Sequence, residues 1–322
     1  MTTRDGEANR AAGRWGAAAV VGVAVLFTSV SAQAQIPITT CNPALPAPAG
    51  SKISAPGFYQ LMNNIVSGND DCIQITASNV SLKLNGYTIK AGVGAHDAIH
   101  VDGTATKINH VGIEGPGLIT KDSTMMGAAF QNGIRFMGAA PVSMMGQVDY
   151  TPQVRFSQVD LVTVVGASDG IHAEECYNLV IGSNVIARSG HGIAATDCNY
   201  CTISGNDASG NSGPGIVLSK FSGSLATNNT VNSNIVNGNG SGIFLEEGVV
   251  GTRASSNVID GNASDGIRSV AFSANPQNQF FSNRVLGNGD VDLSDDSSNC
   301  QSSVWSGNTF QTPPAATKPC LH

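Results

Sequence analysis

SNVIARSGHGIAATDCNYCTISGNDASGNSGPGI, residues 183 to 216, holds two copies of one pattern: an asparagine (Asn184, Asn206) followed nine or ten residues later by an isoleucine behind a glycine (Ile193, Ile216). Outward from this stretch, asparagine returns at Asn234, Asn257, Asn283 and Asn308, so the six stand 22, 28, 23, 26 and 25 residues apart. The apolar anchor returns with them, at Ile243, Ile267 and Val291. Each interval holds two short strand signals and two turns, which is too short for a strand-helix-strand unit and too regular for a sandwich.

A strand-and-turn repeat of this length is best satisfied by a chain that winds as a solenoid, each coil lying on the one before. A strand spacing of about 4.8 Å then stacks equivalent positions into ladders. Asparagine suits the corners, because its amide can bond the next coil and it tolerates left-handed backbone. The chain here resembles the right-handed parallel β-helix family, the pectate-lyase-like superfold, over Gly57 to Phe310. The segment SNVSLKLNGYTIKAG (Ser78 to Gly92) looks like an opening coil, and NGI, DGI, HGI and SGI look like the family's strand openings. The resemblance implies an all-β, single-stranded solenoid of about ten coils. It implies less about activity, because that fold carries lyases, epimerases, hydrolases and binding proteins.

Composition fits one elongated domain: charged residues are 12% and aromatics 6%, while 38 glycines supply corners. Residues 1–34 read as an export signal, with Arg4, Arg10 and Arg14 ahead of an apolar run from Trp15 to Val30 and an Ala32-Gln33-Ala34 cleavage pattern. The run is shorter than the roughly 20 residues of a membrane-spanning helix, so no transmembrane segment is expected in the mature chain. Removing three basic and two acidic residues takes the formal charge from -7 to -8, which argues against a nucleic-acid partner. Residues 35–56, rich in proline, read as an extended linker or cap, 57–310 as the solenoid and 311–322 as a tail. The expected location is secreted or periplasmic.

Seven cysteines in an exported chain suggest disulfides with one thiol left over. Cys41 with Cys72 and Cys300 with Cys320 would tie the two ends. Cys176 and Cys198, each five residues after its anchor, would lie on adjacent coils and either bond or stack as buried thiols, with Cys201 the odd one. No cysteine or histidine spacing forms a zinc signature.

Function must be found by phase. If the anchors point inward, the first and third residues after each face solvent. After Ile99, Ile134 and Ile171 the first positions are His100, Arg135 and His172 and the third are Asp102, Met137 and Glu174. Later coils place Ala194, Val217, Phe244, Arg268 and Asp292 in the first column, and Thr196, Ser219, Glu246, Val270 and Ser294 in the third. Ionisable groups are thus concentrated on three early coils.

That concentration marks an active-site candidate suited to acidic sugars. Arg135 can hold a carboxylate and neutralise the charge that grows when the adjacent carbon loses its proton. His172 or His100, near neutral pKa, can take that proton while the other donates to the leaving oxygen. Elimination makes a lyase, and reprotonation from the opposite face makes a C5-epimerase. Glu174 and Asp102 can orient the imidazoles or hold a bridging cation such as Ca2+. Asp169, His191, Lys220, Glu246 and Arg268 complete the expected sugar-contacting set, and Arg268 is also expected to pair with Glu246 or Glu247. The competing readings are a surface of cross-strand ion pairs, a non-catalytic carbohydrate-binding or surface-structural β-helix protein, and a glycoside hydrolase. For the last, the doublets Glu174-Glu175 and Glu246-Glu247 stand three coils apart, about 14 Å, beyond the roughly 5 to 9.5 Å that acid and base require.

Overall fold

Anchors at a fixed phase dictate stacking, and stacking is what the computed structural model contains. It describes residues 34–321 except 43, 46, 48–49, 139–141, 145–146, 150–153, 222–223, 271–276, 298–299, 302 and 312–320, and only the backbone of 142–144 and 147–149. The export signal expected at residues 1–34 falls almost wholly outside these. Among the described residues no helix is long and apolar enough to cross a membrane.

The chain winds into about ten coils whose walls are a ten-stranded and a fifteen-stranded parallel sheet, with smaller sheets at the corners. The anchors Ile99, Ile134, Ile171, Ile193, Ile216, Ile243 and Ile267 pair in register along the ten-stranded sheet. All are buried, and each such side chain withdrawn from water contributes about 1.5–3 kcal/mol. Facing them, the fifteen-stranded sheet stacks Leu82, Ile113, Val159, Ile181, Ile203, Val231, Ala254, Phe280 and Trp305.

The glycine before the anchor has a steric cause. A Cβ at Gly170 would lie 2.1 Å from Ile186 Cγ2 and 2.6 Å from the Gly192 carbonyl of the next coil. Strand and corner pack too closely there for any side chain.

The asparagines form the expected ladder. The Oδ1 of Asn206 accepts both the backbone N–H and the Nδ2–H of Asn184, each at 3.0 Å. The motif repeats through Asn234, Asn257, Asn283 and Asn308. A second ladder runs Asn211, Asn239, Asn262, Asn288 and ends on Asp292, which accepts from Asn288 N and Nδ2. Asp292 is therefore buried, and it is Leu293, not Val291, that pairs with Ile267. The last coil's outward residue next to Arg268 is Ser294, which corrects the expected column.

Pairing also begins earlier than expected. Gln35–Ile38 lies parallel to Gly57–Leu61, and Lys52–Ile53 joins the ten-stranded sheet. Ile38 and Ile53 each complete the core column at that end, so 35–38 and 52–53 of the expected linker or cap join the wall; Pro37 is tolerated because its strand is at an edge. Cys41 and Cys72 are bonded. Cys300 is also disulfide-bonded, and its expected partner, Cys320, lies outside the described residues. Cys176, Cys198 and Cys201 are free and buried, the stacked arrangement rather than a bond. Arg268 pairs with Asp296 at 2.9 Å and not with Glu246 or Glu247: the last coil brings a carboxylate across the same face.

Candidate functional site

Four consecutive strands of the ten-stranded sheet, Asp97–Gly103, Asn132–Gly138, Asp169–Glu174 and His191–Thr196, build the polar face. Their register sets His100, Arg135 and His172 side by side, with Asp102, Met137 and Glu174 in the parallel column. A third column precedes each anchor by two residues: Asp97, Asn132, Asp169 and His191. Asp71, two residues before Ile73, continues it.

These columns close into one network of hydrogen bonds and longer ion pairs. Asp169 is shared by two imidazoles, with Oδ2 2.7 Å from His172 Nδ1 and Oδ1 2.8 Å from His191 Nδ1. Glu174 Oε2 lies 3.2 Å from Arg135 Nη2 and 3.7 Å from His172 Nε2. On the other side of Arg135, His100 Nδ1 is 2.7 Å from Asp71. Asp97 Oδ2 stands 3.8 Å from His100 and 3.9 Å from Arg135, while its Oδ1 accepts from Asn132 Nδ2 at 2.7 Å. Two buried polar atoms, His100 Nε2 and Arg135 Nε, have no partner among the described residues. Unsatisfied donors or acceptors at the heart of a half-buried polar face leave hydrogen-bonding capacity for a ligand.

Electrostatics follow the geometry. Burial opposes charging His172, but the hydrogen bonds to Asp169 and Glu174 and their charges outweigh it and raise the imidazole to about 9. Burial also opposes ionising Asp169, and the two imidazoles overcome it, holding that carboxyl far below its ordinary range. The His172 hydrogen bond, against burial and with Arg135, lowers Glu174. The Asp169 hydrogen bond raises His191, and Asp71 raises His100 against burial. Asp97 is raised by burial. The expectation of a histidine near neutral pKa is thereby corrected for His172, because its two carboxylate partners hold the proton.

Of the expected residues, Arg135, His172, His100, Glu174, Asp169 and His191 are brought together. Asp102 sits beside them but accepts from Gln74 and Thr104. Lys220 and Glu246 follow the strands Pro214–Ser219 and Ser241–Leu245, and Arg268 lies in Ile267–Ser269, all farther along the axis. Sequence reasoning missed Asp71 and Asp97; the signal was available, since both stand two residues before an anchor, as Asp169 does. It also missed that Glu175 turns inward against Asp197, both buried, with Glu175 Oε1 and Asp197 Oδ2 unpartnered. Burial first, then the Asp197 charge, raises Glu175 to about 8.

A family model described as periplasmic copper-binding protein (NosD) matches residues 141–316. Among solved structures, the chain is similar to the A-module of mannuronan C-5 epimerase AlgE6 from Azotobacter vinelandii, with 16% identity, a TM-score of 0.54 and coverage of 80% of this chain and 79% of that one. It is also similar to DFA-IIIase from Arthrobacter chlorophenolicus A6, with 15% identity, a TM-score of 0.50 and coverage of 81% and 69%. At these identities the likeness is one of fold. No curated protein is similar to the chain in sequence.

Among the described residues no cluster joins several imidazoles or thiolates as a dedicated copper site would. Copper favours imidazole and thiolate donors, whereas the groups with three ligand atoms within 4.8 Å of one another are Asp70, Asp71, His96 and Asp71, Asp97, His100. Each has one imidazole and two carboxylates, and both lie before residue 141. The three free thiols are sealed in the core, and burial contributes to raising every one of them, so they stay protonated.

Proposed function

The chain belongs to the NosD family, and from that premise and the geometry of the imidazole face we propose that it is an exported, periplasmic carbohydrate-active protein, a polysaccharide lyase or C5-epimerase acting on a uronic-acid-containing polymer. One observation carries the reading: Arg135, with Nε buried and unpartnered, is held between His100 and His172 on a rigid sheet face. Sharing a fold with a mannuronan C-5 epimerase is consistent with it.

Arg135 takes the uronate carboxylate in place of Glu174 and stabilises the enolate-like charge after proton loss. Neutral His172, aligned by Asp169 through Nδ1, accepts the proton of the carbon beside the carboxylate at Nε2. His100, protonated and held by Asp71, donates from its free Nε2 to the leaving glycosidic oxygen. Return of a proton from the opposite face yields the epimer. Because His172 is charged below about 9, proton abstraction at its Nε2, read as exchange of the adjacent proton, strengthens as pH rises through that value. Asp71 and Asp97 offer the hard oxygens that Ca2+ takes, and a bridging cation would enter here; a Ca2+-dependent rise in thermal midpoint that survives in Asp97→Asn would refute that part.

The test is incubation with alginate, pectate and glycosaminoglycans, following absorbance of the unsaturated uronate and exchange of the adjacent proton by NMR. Activity on one polymer, reduced at least a hundredfold in His172→Ala and in Arg135→Ala, supports the reading. Retained polymer binding with neither product nor exchange favours the non-catalytic alternative.

A further inference from the structure

A second site is built on a different wall. The fifteen-stranded sheet carries an open cavity of about 310 Å³ bordered by Phe58, Ser81, His110, Gly112, Glu114 and Phe156. Its origin lies in one outward column, Phe58, Ser81, Gly112, Gln158, paired coil to coil. Two small residues between two large ones leave a trough about 14 Å long at the strand spacing. The glycine here is not demanded by the backbone: Gly112 has no positive φ, and an added Cβ would meet nothing nearer than Gln158 at 3.8 Å. What it provides is room.

Phe156 forms one wall at a cost to the fold. It occupies a corner position at φ 50°, in the left-handed region. The equivalent corners of other coils carry Asn79, Asn178 and Asn228 and one further aromatic, Tyr200, with φ of 54–57°, and asparagine bears that conformation with least strain. A phenylalanine there is strained and also exposed, at 47%, as Phe58 is at 41%. His110 shares the same strained corner column and stacks on Phe156 at 5.7 Å. Phe156 also meets Tyr177 edge-on at 5.9 Å, yet its ring borders the cavity and stays half-exposed, and aromatic surface held open beside a cavity points to a ligand.

The rim is polar and balanced: Glu114 pairs with Lys83 at 3.6 Å, and Ser81 and Gln158 add a hydroxyl and an amide. Apolar walls with hydrogen-bonding groups of no net charge at the edge match a pyranose ring, which presents C–H surface and hydroxyls together. We propose that the Phe58–Phe156 trough is a carbohydrate-binding subsite that holds a pyranose unit of a glycan, separate from the imidazole face. The proposal does not require the imidazole face to be catalytic.

The experiment uses the full chain carrying Arg135→Ala, which silences the other face, and titrates maltohexaose, cellohexaose and hexamannuronate by calorimetry and ligand-observed NMR. At least one sugar is expected to bind, and to weaken tenfold or more when Gly112→Gln fills the trough or Phe156→Asn removes the wall. Phe156→Asn is expected to keep or raise the thermal midpoint, because it relieves the corner. Absence of binding by all three sugars, equal binding in Phe156→Asn, or a midpoint that falls as for a core deletion would overturn the proposal. Loss of uronan turnover in the imidazole-face variants leaves these outcomes untouched, so the two readings fail separately.

Discussion

Asp169 is the residue on which the polar face turns, since one carboxylate fixes two imidazoles. Asp169→Asn removes the charge and the strongest acceptor, so the His172 midpoint in an NMR titration is expected to fall from about 9 toward its ordinary 6.5. A midpoint that stays near 9 would mean that Glu174 alone holds the proton. The same linkage bears on stability. His172 is raised above its unfolded value, so its contribution is fully present below about 6.5 and is lost as pH rises through about 9. Glu175 is also raised, from 4.5 to about 8, because burial disfavours its charged form. Its folded state is therefore favoured most below pH 4.5 and loses that advantage as pH rises to 8. Glu175→Gln is expected to flatten the denaturation midpoint across this window; an unchanged slope would show that Glu175 is ionised throughout.

At the scale of the element, the asparagine ladder does for the corners what the core does for the strands. Asn234 accepts two N–H groups from Asn206 and donates to Ile203 and Asn257. Asn234→Ala leaves these buried groups unpaired and is expected to cost about 3 kcal/mol in urea denaturation; a loss under 0.5 kcal/mol would show that water repairs the gap. Sequence phase made the ladder, the anchors and the first outward column legible, because each depends on spacing alone. The last coil was misread since Asp292 mimics an outward residue while its real role is to end the ladder that begins at Asn211, three coils upstream of Asn288. Asp71 and Asp97 stand two residues before an inward anchor, where alternation along a strand assigns an inward side chain, although Asp169 in the same column already marked that position as polar. That His172 would be held charged was invisible in spacing, because the shift depends on one carboxylate closing to 2.7 Å and a second to 3.7 Å.

Across the whole molecule the coils couple only to their neighbours, so stability is a sum of local terms and the ends are weakest. Cys41–Cys72 closes a loop of 31 residues at the first coils, worth about 3 kcal/mol. Its reduction is expected to speed amide exchange at Ile38 and Leu61 while leaving Ile171 and Ile193 protected; uniform acceleration along the axis would show instead that the solenoid unfolds as one unit. The polar face begins on the coil that carries Cys72, where Asp71 holds His100, while Arg135 and His172 follow on successive coils farther from that end and have the stiffer mounting.

The claim at the centre is that this face receives a uronate through Arg135. Calorimetric titration of hexamannuronate and hexagalacturonate into the Phe156→Asn protein, which isolates the face, measures it directly. Binding of at least one, lost tenfold or more in Arg135→Ala and weakened as pH rises past about 9 and His172 gives up its charge, is the expected result. Binding that ignores both Arg135 and pH would contradict the account.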